Sequence, residues 1–273
     1  MPSDRRLERE AAKRRRHRRG QAIAALSSVV VLGGLAALIL TSPGWPTVRE
    51  TFFDWEVFTD SFPDVARAFW LDVKIFIVAE LAILVVGLVV ALVRIAHSPA
   101  FFPLRLLAVV WVDLFRGIPT ILLVFLIGFG VPALELDGVP SEPVILGAIA
   151  LVLSYSAYVA EVYRAGIRSV HRSQRDAALA VGLTESQAMR HVILPQAVRR
   201  VAPPLLNDFV ALQKDVALIS ILGPLEAFRE AQIIESQLFN FTPLVAAALL
   251  YLAVTVPMAR IVDRMGGPEG AVR

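Results

Sequence analysis

Glu161 to Pro195 reads EVYRAGIRSVHRSQRDAALAVGLTESQAMRHVILP. The stretch is polar and rich in arginine, and it lies between two apolar segments of a mostly apolar chain. That placement makes it a loop at a membrane surface. Its punctuation predicts two short helices. Ser173 followed by Asp176 has capping-box spacing, with Ser173 as N-cap. Gln174 to Val181 is rich in alanine, the best helix former. Gly182 falls where a left-handed C′ residue ends a helix. Thr184 and Gln187 form a second capping box, so a second helix runs from Glu185 to about Leu194. Pro195 cannot continue a regular helix without losing a backbone bond. The small residues Ala177, Ala178 and Ala180 leave a low-relief face, which suits close docking of another protein. An ordinary solvated loop is the plainer alternative.

The rest of the 273-residue chain supports a membrane setting: 56% of it is hydrophobic, and its mean hydropathy is +0.65. The apolar residues gather in about six runs long enough to span a bilayer. A net charge of +3 raises the question of nucleic acid. The basic residues instead fill loops between apolar runs, a membrane pattern that gives no reason to expect a nucleic-acid partner. There is no cysteine, which excludes disulfides and thiolate chemistry.

Outward from the loop, the charges set a topology. Residues 1–20 form a basic tail, read as cytoplasmic, whose charge fixes orientation or meets anionic lipid. Residues 21–41 are an uncleaved first span, too long for a signal-peptide core and lacking an A-x-A site after it. Residues 42–71 form an acidic external linker with Trp45, Trp55 and Trp70 at the interface. The second span, Asp72 to Arg94, holds Glu80 in an apolar run, and Arg94, His97 and Arg105 mark its cytoplasmic end. An intramembrane carboxylate is a functional candidate; an acid paired with a buried base, or facing a water-filled cavity, is the plainer reading. The third span, Trp111 to Ala133, is broken at Gly117-Ile118-Pro119 and carries Asp113 and Arg116. The fourth is Pro143 to Tyr163. The arginine-rich loop, 164–200, then lies inside. The fifth, Pro203 to Gly223, is interrupted by Asn207, Asp208, Lys214 and Asp215. Asn207 lines a pathway or ties helices together. Asp113, Arg116, Lys214 and Asp215 are read as structural charges. The sixth, Thr242 to Val262, leads to a cytoplasmic tail, 265–273.

Within this pattern, Asp176-Ala177-Ala178, then Gly182, then Val192-Ile193-Leu194-Pro195 resemble the EAA signature of ABC-importer permeases. That signature reads EAA, three residues, Gly, nine residues, I-x-L-P. Asp176 and Val192 depart from it. Tyr158 to Ile167, Val192 to Ala197 and Pro203 to Asp215 are similar to the polar amino acid branch (histidine, glutamine and glutamate permeases). Arg116-Gly117-Ile118-Pro119 resembles that branch's R-G-T-P element. Asp72 to Ile75 departs from its Gly-x-Thr-Leu, and Val216-Ala217 from its K-D-T-S-L.

The resemblance implies an all-α integral membrane protein. It would have about six transmembrane helices, a type I (MetI-like) permease core over 72–264 and an extra N-terminal helix. It implies a multi-pass subunit of the bacterial cytoplasmic membrane, with both termini inside, that forms a translocation pathway for a polar amino acid. It implies ATPase subunits as partners, a second identical or homologous permease subunit and an extracytoplasmic solute-binding protein. Asp176, Ala177, Ala178, Gly182, Leu183, Leu194 and Pro195 would form the coupling loop. Glu80 and Asn207 are the candidate pathway residues.

The chain contains no G-x-x-x-x-G-K-[ST], H-E-x-x-H or G-x-S-x-G. ATP and Mg²⁺ are therefore expected on the partner ATPase, with no cofactor or metal in this chain and no enzyme activity of its own. Two alternatives stand beside this reading: a secondary transporter or channel using intramembrane charges, and an ABC permease for a solute other than an amino acid.

Overall fold

The computed structural model of the chain describes residues 3–96 and 98–266. His97, Met1 and Pro2 lie outside the described residues, as do 267–273 of the C-terminal tail and the side chains of the arginine-rich N-terminal tail. Among the described residues every regular element is helical. The chain divides into two units, Met1–Asp54 and Trp55–Arg273.

The first unit holds α1 (Ser3–Leu40) and α2 (Trp45–Phe52). The window Ile23–Leu40 has a hydropathy of 2.5 and is 0% buried. An isolated helix that is apolar all round suits lipid rather than water. Pro46 sits in the first turn of α2, where its missing N–H costs nothing. The segment expected as a linker is therefore largely helical, within α2 and the start of the next helix.

In the second unit, α3 (Trp55–Ile95) carries one buried stripe: Ser61, Val65, Phe69, Asp72, Ile75, Ala79, Ile83, Gly87 and Ala91. Steps of three and four residues keep that stripe on one face. The second expected span is thus the inner half of a longer helix. The following helices are α4 (Phe102–Gly117), α5 (Thr120–Gly128) and α6 (Pro143–Ser169). Ile118 before Pro119 is extended at φ −95° and ψ 129°, as a residue preceding proline prefers. The stretches Pro99–Gly117 and Thr120–Leu134 consequently meet at 103°. The third expected span is not one straight helix.

The remaining helices are α7 (Arg172–Ala180), α8 (Glu185–Ala188), α9 (Leu194–Asp215), α10 (Ala227–Leu238) and α11 (Thr242–Gly266). Among the described residues, four stretches are long and apolar enough to cross a membrane, or up to five with the bent pair. The expected fifth span is helical, continuing from α9 into a 3₁₀ stretch at Val216–Leu222. Its polar residues keep it below that threshold.

The largest core joins α3, α6, α9 and the 3₁₀ stretch through Ile75, Ile83, Leu151, Tyr155, Leu212 and Ile219. Lipid chains are as apolar as these side chains, so close packing must hold the helices together. Gly87 shows how close: a Cβ there would stand 2.7 Å from Val159 Cγ1. A second core joins α3, α10 and α11 around Val65, Phe69, Ala227, Ala231 and Ala247.

Candidate functional site: a capped helical elbow and a polar helix interior

The arginine-rich loop is a folded elbow built from α7, α8 and the turns around them. Three local signals shape it. At the start of α7, the His171 ring is the N-cap, and Ser173 N–H donates to its Nδ1 at 3.2 Å. The expected Ser173 cap is corrected here: the helix begins two residues earlier, which puts Ser173 inside the first turn. At its end, Gly182 has φ +90°. Gly182 N–H donates to Leu179 O at 3.0 Å and Leu183 N–H to Ala178 O at 3.2 Å. These paired bonds are a Schellman motif, with glycine supplying the left-handed residue. At the start of α8, Gln187 N–H donates to Thr184 Oγ1 at 3.3 Å, and Thr184 N–H donates to Gln187 Oε1 at 2.9 Å. This is the expected capping box.

Past α8 the sequence reading needs correction. Met189–Ile193 is a π turn, and α9 continues from Leu194 through Pro195. Leu194 N–H donates to Met189 O, five residues back. The wider turn takes up the register change that Pro195 imposes, so proline marks a bulge rather than a stop.

The elbow has its own small core of Val170, Ile193 and Ala197. Ala178 and Ala188 are also buried, so Ala178 packs inward and does not join Ala177 and Ala180 on an outer face. Arg175 closes the elbow from outside, donating through Nε and Nη2 to both Glu185 oxygens at 2.9 and 2.5 Å. Both partners are exposed, so the pair sets geometry more than stability. Asp176, Ala177, Gly182, Leu194 and Pro195 are exposed, and Leu183 is half-buried. Val181, beside the glycine, is 79% exposed.

Below the elbow, Glu161 of α6 accepts from Arg94 of α3 and from Arg164 one turn on. Arg200 of α9 donates to Ser169 O at the end of α6. These bonds tie the elbow's base to the spans. Arg94 and Arg164 are legible as boundary cations; their common acid, Glu161, is not, because its long-range partner lies 67 residues away.

Inside the unit, Glu80 is half-buried. The ionisable groups within electrostatic reach include Asp208 and Tyr163. No salt bridge to Glu80 exists among the described residues, and the carboxylate within its reach is a second acid, Asp208. Asp208 Oδ2 is buried without a hydrogen-bond partner. Asn207 is exposed, as is Lys214. Asp215 accepts from Tyr155 Oη at 2.7 Å, and Gln213 accepts from Thr255 Oγ1 at 2.7 Å. Asp113 is exposed. The Arg116 guanidinium lies 5.3 Å from the Tyr158 ring centroid, and Tyr158 Oη donates to Arg116 O at 3.3 Å.

Asp72 and Glu226 form a site that sequence reading missed. Asp72 is 2% exposed and Glu226 0%. Asp72 Oδ2 accepts from Ala227 N–H at 3.0 Å, and Glu226 accepts from Phe228 and Arg229 N–H at 2.8 and 2.7 Å. Tyr251 Oη adds a bond to Glu226 at 3.3 Å. Together they satisfy the first N–H groups of α10. A separation of 155 residues hides this pairing.

Comparison with known proteins agrees with this architecture. Residues 83–266 match the family described as binding-protein-dependent transport system inner membrane component. The chain is 36% identical over 203 residues to the probable glutamine ABC transporter permease protein GlnM of Bacillus subtilis (strain 168), covering 73% of this chain and 90% of that one. It is 35% identical over 198 residues to the putative glutamine transport system permease protein GlnP of Rickettsia felis, covering 71% and 88%. The crystal structure of an amino acid ABC transporter with histidines superposes with a TM-score of 0.70 at 29% identity, covering 78% and 97%. An inward-facing MetNI methionine ABC transporter shares the fold at a TM-score of 0.58 and 20% identity, covering 74% and 94%. The chain belongs to the binding-protein-dependent inner membrane component family and is a permease subunit of an ABC importer, whose ATP hydrolysis lies in a separate subunit.

Proposed function

We propose that this permease carries a polar amino acid and that the elbow at 170–195 is where the ATPase engages it. The family implies an ATPase and a solute-binding protein as partners. The finer reading adds a second permease subunit, the elbow on the cytoplasmic face and the binding protein outside. The amino-acid class rests on the relatives, named as glutamine and amino-acid permeases. Glu80 and Asp208 are candidates for the pathway, because paired acids inside a bundle serve function or meet water.

One observation carries the coupling role. The loop is not slack: it is capped at three points and has its own core, which joins it to α6 and α9 through Ile167 and Ala197. A motion imposed at the elbow therefore reaches the spans. ATP binding shifts such a transporter only through its different affinity for the two states, and a stiff elbow can transmit that difference.

Gly182 is the test. A Cβ at this position would meet nothing within 4 Å, so substitution strains the backbone without a clash. Gly182→Val is expected to cost about 1–2 kcal/mol through left-handed strain. Gly182→Asn, which tolerates that region, is the rescue. Purified with the ATPase and reconstituted in vesicles, Gly182→Val should lose ATPase association or solute-stimulated hydrolysis, and Gly182→Asn should retain both. Wild-type behaviour of Gly182→Val at matched permease levels would reject the elbow as the coupling element. Uptake of an L-amino-acid panel in the same vesicles tests the substrate class; no uptake of any member would reject it.

A further inference from the structure

An open groove of about 540 Å³ lies between α5, the 3₁₀ stretch and α10. Ile121, Ile221 and Phe228 supply apolar walls, and Ser220, Gln232 and Arg229 supply its polar groups. Arg229 is half-buried in the first turn of α10. A cation there opposes the helix dipole, so helix stability does not account for it. Gln232 Oε1 accepts from Arg229 Nη1 at 2.7 Å and fixes the plane of the guanidinium. The oxygens of the neighbouring acid, Glu226, accept from the N–H groups of Phe228 and Arg229 and from Tyr251, not from the guanidinium. Elsewhere, Arg94, Arg164 and Arg175 all have carboxylate partners. Among the described residues, no salt bridge reaches the Arg229 guanidinium.

We propose that this groove is a carboxylate-binding site in which Arg229, held by Gln232, is the cation. A planar guanidinium presents parallel N–H donors that match the two oxygens of a carboxylate, and apolar walls strengthen such a bond by excluding water. The carboxylate has two possible sources: the α-carboxylate of the solute, which rests on the amino-acid reading above, or an acidic side chain of a second permease subunit.

The experiment uses the complete transporter with its ATPase in lipid nanodiscs. Calorimetry compares L-glutamine, L-glutamate, L-histidine and L-arginine with their α-carboxamides, and native mass spectrometry counts permease subunits. With a solute carboxylate, the wild type binds an acid at least about tenfold more tightly than its amide, the scale of one hydrogen bond to a charged group. Arg229→Gln then removes that preference, Arg229→Lys keeps part of it, and the subunit count is unchanged. With a subunit carboxylate, Arg229→Gln lowers the permease count and leaves the acid-to-amide ratio as in the wild type. Unchanged ratio and unchanged count in Arg229→Gln overturn the site. A wild-type complex that holds its ATPase but binds none of the panel overturns the amino-acid reading and the solute source together, and the subunit count alone then decides.

Discussion

A carboxylate in an apolar helix invites the expectation of a cation nearby, and Glu80 shows why that expectation fails here. Lys74 is six residues away in α3 but exposed, whereas the group that Glu80 senses is Asp208 of α9. Two acids within electrostatic reach repel when both are charged, so a cationic or water-filled neighbour would suit them. If Glu80 serves the pathway, Glu80→Gln removes that repulsion while keeping the shape of the side chain. Uptake or solute preference should then change by at least severalfold at unchanged membrane abundance. Radiolabelled uptake in vesicles measures this, and wild-type uptake with wild-type preference would make Glu80 a tolerated packing residue. Glu80 itself is easy to find in the sequence, as a lone charge in an apolar run. Asp208 as its partner is not, because nothing local relates α3 to α9.

The elements divide along the same line. The elbow was legible because its instructions are local: Gly182 and the Thr184–Gln187 box act within a turn of themselves. Two local readings failed for physical reasons. His171 offers an acceptor two residues ahead of Ser173, and a π turn lets α9 run through Pro195. The anchoring of α10 was illegible because Asp72 comes from α3. Burial holds the Glu226 carboxyl above the ordinary glutamate range. Asp72 Oδ1 is buried with no N–H or O–H pointing at it, and the adjacent Glu226 supplies a donor only when protonated. Asp72→Asn keeps an oxygen for Ala227 N–H and adds an amide donor toward Glu226, so it should leave stability close to wild type. Asp72→Ala leaves Ala227 N–H buried and unpaired, a loss of about 1–3 kcal/mol. Thermal unfolding of the detergent-solubilised complex should show a lower Tm for Asp72→Ala alone. Equal Tm values for all three proteins would mean that α10 does not depend on this cap.

At the scale of the molecule, the unresolved quantity is parity. Both termini on one side of the membrane require an even number of crossings, and among the described residues composition alone yields four, or up to five with the bent pair. We propose that α9 with its 3₁₀ extension supplies the remaining crossing. Averaged hydropathy undercounts it, because Gln213 and Asp215 spend their polarity on Thr255 and Tyr155 inside the protein. On that reading the arginine-rich elbow and both termini would share the cytoplasmic side, and the acidic start of α3 would lie outside. The chain has no cysteine, so single introduced thiols report without background. Ser61 is a poor outside position, being 4% exposed with its hydroxyl bonded to Val57 O at 2.7 Å. Asp60 is exposed on the same helix, and Ser173 is exposed on the elbow. An impermeant maleimide added to intact cells should label Asp60→Cys and leave Ser173→Cys unmodified until the membrane is opened. Labelling of Ser173→Cys in intact cells would put the elbow outside, beyond reach of any cytoplasmic ATPase, and would overturn the orientation and the coupling role together.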